Sequence, residues 1–280
     1  MRHAWSITVV AMVLFALSDS AAQVNKSSKQ AAVITHDATA ARVSADATRP
    51  LKESAQAIAL EYGLLVDYED PGYQSSYDRA DDTDPTWRAA HPSEPDVTTI
   101  AGKHFESEFT PITDAKNAGQ LKASFSKLLT DYNGSANPGH FKLITNTAGR
   151  VSIIGDGIRD DKGLVIPTNP ILDSPVTLTG TEGNIYLALM SVMKQVSSQT
   201  GFKMNPGTLP LNLVMQSQST ARGQQISARD AIIRIMDSSS KKLIYALLYD
   251  PDTKTYYLSM TIAAKATIGP YGVKKFQEVH

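Results

Sequence analysis

The sequence predicts an α+β fold in which a small unit of β-α-β-β-α-β-β order occurs twice. Two observations lead to this prediction. Four segments share the spacing of apolar residues that is typical of a helix packed on a sheet, and strand-like runs lie between them in the same order both times. We expect the two units over residues 42–156 and 171–262, each as a small sandwich of helices on a sheet.

The chain begins with the pattern of a secretory signal peptide. A short basic start is followed by an almost wholly apolar run from Trp5 to Leu17, and Ser20-Ala21-Ala22 supplies the small residues that a signal peptidase reads. The run is short for a membrane span, although an uncleaved N-terminal anchor is the alternative. We therefore predict a signal peptide over residues 1–22, cleaved near Ala22, and a mature chain that is periplasmic or secreted.

A flexible linker over residues 23–41 follows, because this stretch is rich in Ala, Ser and Thr and has no sustained periodicity. The chain contains no cysteine, which excludes disulfides, thiolate zinc sites and cysteine nucleophiles. Its 27 basic and 28 acidic residues nearly balance, which argues against nucleic-acid binding driven by bulk charge. We expect a peripheral contact with a membrane at most.

The first unit is expected to contain a leading strand, two helices and five further strand segments, of which two directly precede the second helix. The helices carry apolar stripes from Leu51 to Tyr62 and from Leu121 to Tyr132, and Gly63 and Gly134 are expected to end them in a left-handed conformation. The strands are predicted at residues 42–45, 64–66, 97–100, 104–109, 141–145 and 151–154.

The second unit repeats this order after a connector over residues 157–170, which includes one short strand at 164–166. Its helices run from Ile185 to Val196, ending at Gly201, and from Ala228 to Met236, where Ser227 and Asp230 form a capping box. Its strands are predicted at residues 176–178, 202–204, 211–215, 243–249 and 256–260. Residues 263–280 are expected to form a frayed tail.

The second unit resembles the short N-terminal (STN-like) domain of secretins and TonB-dependent receptors, and more loosely the secretin N-domains. The similarity lies in the helix that ends at Gly201, in the Ala228-to-Met236 helix and in the closing hairpin, and residues 50–64 resemble the family's opening helix and strand. This resemblance implies the fold and an extracytoplasmic interaction role. It implies no pore, because no barrel segment follows and the first unit carries an insertion.

The insertion at residues 67–96 is the most distinctive stretch. It holds nine acidic residues and two arginines, interleaved with aromatic residues and with five Pro or Gly. Aromatic side chains supply contact area, and carboxylates suit a hard cation such as calcium, so a binding loop and a solvated excursion whose tyrosines cover the core are both open. The candidate partner- or ligand-binding residues are Tyr68, Tyr73, Tyr77, Asp81, Asp82, Asp84 and Trp87.

No catalytic or metal-binding motif is present, and we predict no cofactor and no metal. His104, Glu106 and Glu108 alternate along a predicted strand, a spacing that suits three metal ligands or, more commonly, a solvated strand face. The expected function is non-enzymatic binding of an envelope protein, for example a secretion or outer-membrane component. The alternatives are a small-ligand or glycan-binding protein and an envelope-polymer hydrolase that uses Asp67, Glu69 or Asp70 beside Glu106.

Overall fold

A computed structural model describes residues 32–37, 39–146, 149–268 and 274–279. The predicted signal peptide and the first part of the linker, residues 23–31, lie outside the described residues. Within the described part the chain forms six α-helices and several β-sheets, so the α+β class is confirmed. Among these helices none has the length and apolar character needed to cross a membrane.

Four longer helices lie where the apolar stripes predict them. The helices are α1 (Pro50–Tyr62), α2 (Pro85–Ala90), α3 (Ala118–Asn133), α4 (Ile185–Thr200), α5 (Leu211–Gln216) and α6 (Ala228–Asp237). The Ser227 hydroxyl accepts a hydrogen bond from the Asp230 N–H at 3.0 Å, as expected for the start of α6. Gly63 and Gly201 end α1 and α4 with φ of 70° and 76°, whereas Gly134 is right-handed (φ −77°), so its predicted conformation was wrong.

The strands of the first half are β1 (Val33–His36), β2 (Ala41–Ala45), β3 (Leu65–Glu69), β4 (Arg79–Asp81), β5 (Thr98–Ile100), β6 (Phe105–Phe109), β7 (His140–Thr145) and β8 (Arg150–Arg159). The connector contributes β9 (Val165–Pro167) and a 3₁₀ turn (Ile171–Asp173). The remaining strands are β10 (Pro175–Leu178), β11 (Lys203–Pro206), β12 (Gly223–Ser227), β13 (Leu243–Asp250), β14 (Thr255–Ile262), β15 (Ala264–Ile268) and β16 (Lys274–Glu278).

Apart from β4, α2 and β5 in the first unit and α5 in the second, the two predicted units have the same element order and the same strand pairing. In the first, β2 pairs antiparallel with β6, while β3 is parallel to β8 and β8 is antiparallel to β7. In the second, β10 pairs antiparallel with β12, while β11 is parallel to β14 and β14 is antiparallel to β13. The doubled order read from the sequence is therefore present at the level of topology.

The units differ from the predicted tandem sandwiches because they share their larger sheet. β3 of the first unit pairs parallel with β13 of the second, through Tyr68 with Ala246 and Glu69 with Leu247. This contact joins the strands into one seven-stranded sheet of order β11-β14-β13-β3-β8-β7, with β9 paired to β8. The edge strand of one unit thus continues the sheet of the other.

The helices of the two units pack on opposite faces of this shared sheet. Tyr68 belongs to the core formed with α1 and α3, whereas Leu247 belongs to the core formed with α4 and α6. Because Tyr68 pairs with Ala246, one residue before Leu247, the side chains of Tyr68 and Leu247 point to opposite faces. Each core is therefore closed by its own helices.

Three further segments differ from the sequence prediction. Residues 211–215 were predicted as a strand but belong to helix α5, which begins after Pro210, and the strand is supplied by Gly223–Ser227 instead. The predicted linker contains β1, which pairs with β2. The predicted frayed tail contains the antiparallel strand pair β15–β16, and Glu278 of β16 lies 2.5 Å (Oε2) from Nζ of Lys241, which precedes β13.

Candidate functional site

The insertion is ordered and divides into a buried base and an exposed tip. The base runs beside the sheet from Asp70 to Asp78. The tip consists of the antiparallel pair β4–β5 and the helix α2 between them. The seven candidate binding residues are distributed over both parts, and their surroundings separate them into three groups.

Tyr68 and Tyr73 are core residues, so their selection as partner-contacting residues needs correction. Their exposed fractions are 4% and 1%. The Tyr68 ring packs at 5.6 Å from the ring of Phe141, and the Tyr73 hydroxyl donates to Asp70 Oδ1 at 3.3 Å. Burying an aromatic ring removes a large apolar area from water. Because both rings are buried, neither Tyr68 nor Tyr73 can contact a partner in the folded chain.

Tyr77 is half-buried at the base of the insertion, against the connector. Its ring lies close to Gly163 in the loop between β8 and β9, and Lys103 Nζ lies 5.7 Å from the ring centroid. Nearby, the hydroxyls of Ser75 and Ser76 donate to Asp161 Oδ1 at 3.3 and 2.6 Å. These contacts fix the insertion on the connector.

The tip presents Trp87 on a helix that has no buried residue. Asp84 caps α2, its Oδ1 accepting hydrogen bonds from the N–H groups of Thr86 and Trp87 at 2.8 and 3.0 Å. The Trp87 ring stacks on His91 with centroids 4.7 Å apart. Trp87 is therefore held in place by local contacts and leaves part of its ring open to solvent.

The acidic residues of the tip have structural partners. Asp81 pairs with Arg88, which also contacts Asp96 at 2.9 Å. Hydrogen bonds from the Thr83 hydroxyl and N–H, with that from Arg88, lower the pKa of Asp81 to about 2. Asp82 is exposed, and its N–H donates to Val97 O at 2.9 Å. These contacts hold the acidic residues of the tip beside α2, and we call these residues the acidic rim.

Three other insertion carboxylates lie in the boundary between the two units. Asp67, Glu69 and Asp70 are 0%, 2% and 4% exposed. Each accepts hydrogen bonds from one arginine, namely Arg150 to Asp67 at 2.8 Å, Arg229 to Glu69 at 2.6 Å and Arg49 to Asp70 at 2.7 Å. Buried carboxylates need such partners, because an unpaired buried charge is very costly.

The same carboxylates bind β13. The Tyr245 N–H donates to Asp67 at 3.1 Å and its hydroxyl donates to Glu69 at 2.5 Å, while the Tyr249 N–H donates to Asp70 at 2.9 Å. This set of contacts explains why the second unit pairs with the first at β3. The carboxylates proposed for a hydrolase thus hold the units together, Glu69 through its ion pair with Arg229, and Asp67 and Asp70 through the N–H groups of β13.

Burial and charge shift the pKa values in this boundary. Burial raises the pKa of Asp67 to about 6, against the lowering effect of Arg150. Burial also raises the pKa of Tyr245, and the Glu69 charge raises it further. For Arg229, burial opposes the charged form, but the hydrogen bond and charge of Glu69 outweigh it and raise the pKa.

The alternating residues of β6 form a cross-strand ion pair. Arg42 of β2 lies 3.6 Å from Glu106 and 3.1 Å from Glu108. All three side chains are about half exposed, which is the solvated strand face expected of an antiparallel sheet. Over the described ranges, no group of three or more His, Asp or Glu side chains is placed to hold a metal.

Three of the described edge strands, β7, β10 and β11, each have a residue that is covered by a side chain or is a proline. The Asn133 amide bonds both main-chain groups of Phe141 on β7, at 2.8 and 3.0 Å, and the Gln195 amide does the same for Thr177 on β10, at 2.9 and 3.0 Å. Pro206 on β11 has no N–H to donate. These features oppose strand addition at the three edges, so binding is better served by the tip.

Comparison of the chain with protein-family models, with curated proteins and with solved structures found no match.

Sequence reasoning identified Trp87 and the insertion but missed the partners of its carboxylates. Arg49, Arg150 and Arg229 lie in three different segments, and each is a single basic residue with no motif around it. The one available signal is the clustering of Asp67, Glu69 and Asp70 directly after a buried helix and strand. Three acids in that position require basic partners from elsewhere in the chain.

Proposed function

We propose that this chain is a non-enzymatic adaptor of the bacterial envelope, exported to the periplasm or beyond, which binds a protein partner through the tip of its insertion. The observation that carries the proposal is Trp87, held by the His91 stack on a helix without buried residues. Tryptophan is enriched at the energetic centre of protein interfaces, where a rigid ring supplies contact area at little entropic cost.

We further propose that the two units are secretin-N-like (STN-like) modules. The support is the repeated β-α-β-β-α-β-β order with the same strand pairing in both units. Such modules serve as docking domains, and the shared sheet would hold the two in a fixed relative orientation. A rigid pair presenting one exposed tip suits an adaptor between two envelope components.

The acidic rim indicates a partner with a basic or neutral contact surface. Asp82 and Glu94 are exposed beside α2, and Asp96 shares Arg88 with Asp81. Charges at a rim change the association rate and its salt dependence more than they change affinity. For a basic partner, the association rate is therefore expected to fall as the salt concentration increases.

Photo-crosslinking tests the proposal. A photoreactive phenylalanine analogue is placed at Ala90, an exposed position on α2, and irradiated in the bacterial host, with the same substitution at the exposed Asn212 of α5 as the control. We expect a discrete crosslinked protein at Ala90 that is absent at Asn212 and is lost when Trp87→Ala is added. The proposal fails if Ala90 gives no discrete product or if Trp87→Ala leaves the product unchanged.

Cell fractionation tests the compartment separately. The full chain should appear in the extracytoplasmic fraction, shortened by the signal peptide, and a chain beginning at Gln23 should stay in the cytoplasm. Retention of the full chain in the cytoplasm would contradict the proposed export.

A further inference from the structure

We infer that a cleft at the base of the insertion is a second binding site, which takes an extended peptide segment carrying a carboxylate beside apolar side chains. This site includes Arg79, the first residue of β4, but neither α2 nor Trp87, and the inference goes beyond the proposed function. The cleft lies between residues 70–79 of the insertion region and residues 155–171, which run from the end of β8 through the connector to the first residue of the 3₁₀ turn.

The cleft consists of two depressions that share Gln74 and Ile158. The first, about 430 Å³, lies beside β9 and includes Arg79 and Ile166 in its lining. The second, about 160 Å³, extends to Phe202 and Tyr256 in the second unit. An elongated site of this kind, at the boundary between two packed units, suits an extended chain better than a compact ligand.

The cleft borders an exposed apolar run. Leu164, which precedes β9, and Val165 and Ile166 of β9 are 63%, 40% and 46% exposed, so three consecutive apolar residues are open to water. Such runs are unfavourable for solubility, and a contiguous exposed apolar surface marks an interaction site. Ile158 and Ile166 pair across β8 and β9 and share one face. Apolar side chains of a bound peptide would cover them.

Arg79 supplies the polar anchor. Its Nε donates to the Ser75 carbonyl at 3.2 Å, and within the described residues its Nη groups have no hydrogen-bond or ion-pair partner. Two acids, Asp160 and Asp161, also line this depression. Asp161 accepts hydrogen bonds from Ser76 and Ser75, which are the main cause of its lowered pKa, and the Arg79 charge lowers it further without a direct hydrogen bond. The guanidinium fork of Arg79 can therefore take an external carboxylate in a charge-assisted pair.

The experiment selects phage-displayed random heptapeptides on the immobilised, folded chain. We expect enrichment of sequences with Asp or Glu next to two or more aliphatic residues. The enriched peptide is then synthesised and its affinity measured by fluorescence polarisation. Arg79→Gln should weaken binding about tenfold or more, because a charge-assisted hydrogen bond is lost. Ile166→Lys, at an exposed position, should weaken it by at least about fivefold through lost apolar contact.

Two matched controls separate the cleft from general effects on the chain. Arg222→Gln removes an exposed arginine and Leu187→Lys an exposed leucine, both in the second unit and outside the cleft lining. Both controls should bind the peptide within about twofold of the wild type. The inference is overturned if no sequence is enriched over bare support, if the enriched sequences lack an acid, or if Arg79→Gln and Ile166→Lys bind like the controls. Loss of Trp87 should leave this binding unchanged, so the two proposed sites can fail independently.

Discussion

Arg229 and Glu69 join the two repeat units through a two-pronged ion pair that is almost fully buried. Arg229 Nε and Nη2 donate to Glu69 Oε1 and Oε2 at 2.6 and 2.7 Å, from the second residue of α6 to the last residue of β3. The side chains are 8% and 2% exposed. The pair thus lies where the helix layer of one unit meets the strand of the other.

Replacing Arg229 by Met should destabilise the folded chain by about 3–5 kcal/mol, because it leaves the Glu69 charge buried without its partner. Urea unfolding measures the change. The double variant Arg229→Met/Glu69→Gln removes both charges and keeps an acceptor for the Tyr245 hydroxyl, so it should recover at least half of the loss. Equal destabilisation of the single and double variants would show that the pair is not the cause.

Replacing Asp67 by Asn should cost less stability at pH 7.5 than at pH 4.5. Burial raises the pKa of folded Asp67 to about 6, against about 3.9 in an unfolded chain. The folded chain then binds more protons than the unfolded chain between about pH 4 and 6, so the wild type loses stability as the pH rises through this window.

Asparagine does not titrate, and the difference in unfolding free energy between wild type and Asp67→Asn therefore isolates Asp67. This difference should shrink by about 1–2 kcal/mol from pH 4.5 to 7.5 in urea titrations. If it grows with pH instead, the Arg150 ion pair dominates and the pKa of Asp67 lies below its ordinary value.

The repeated unit could be predicted from the sequence, because apolar periodicity and helix ends are local properties. The stripes from Leu51 and from Leu121 and the cap at Ser227 depend on residues within one helix. The shared sheet could not be predicted, because it depends on which two strand edges meet. That choice follows from the hydrogen bonds of Asp67, Glu69 and Asp70 to β13 and from the Glu69–Arg229 ion pair, and no local pattern encodes these contacts.

The position of the candidate site could be predicted from the sequence, but which of its aromatic side chains face solvent could be predicted only in part. An acidic, aromatic insertion is visible in the sequence, yet whether each aromatic faces the core or solvent depends on how the insertion folds back. Tyr73 follows Pro71-Gly72, and its side chain belongs to the core of the second unit. Trp87 lies on α2, which is capped by Asp84 and has no buried residue. The composition of the segment is the same in either case.

Tyr73→Ala and Trp87→Ala should therefore differ strongly in their effect on the free energy of unfolding. Tyr73→Ala should cost about 3–5 kcal/mol, because it removes a buried ring and its hydrogen bond to Asp70. Trp87→Ala should change the unfolding free energy by no more than about 0.5 kcal/mol, because no residue of α2 is buried. Denaturant unfolding of both variants checks this, and a large loss for Trp87→Ala would mean that the tip packs on the modules.

The last prediction concerns the ends of the seven-stranded sheet. The β13–β3 contact is head-to-tail, since it joins the β7-like edge of the second unit to the β11-like edge of the first. A contact of this type can in principle repeat between molecules and build a filament. Two features oppose such repetition. At one end of the sheet, the Asn133 side chain covers Phe141 on β7. At the other end, Pro206 is the fourth residue of β11 and so occupies the position that Tyr68 occupies in β3.

The double variant Asn133→Ala/Pro206→Val should therefore assemble further than the wild type, because it uncovers the main-chain groups of Phe141 and restores an N–H on the free edge of β11. Light scattering after size exclusion should show a mass that rises with concentration. Asn212→Ala, at an exposed asparagine outside every sheet, is the control and should match the wild type. β11 carries Asn205 where β3 carries Asp67, so the new contact lacks a carboxylate that binds the neighbouring strand and should be weak and reversible. An unchanged mass for the double variant at high concentration would mean that the carboxylate contacts, rather than the covered edges, decide where the sheet ends.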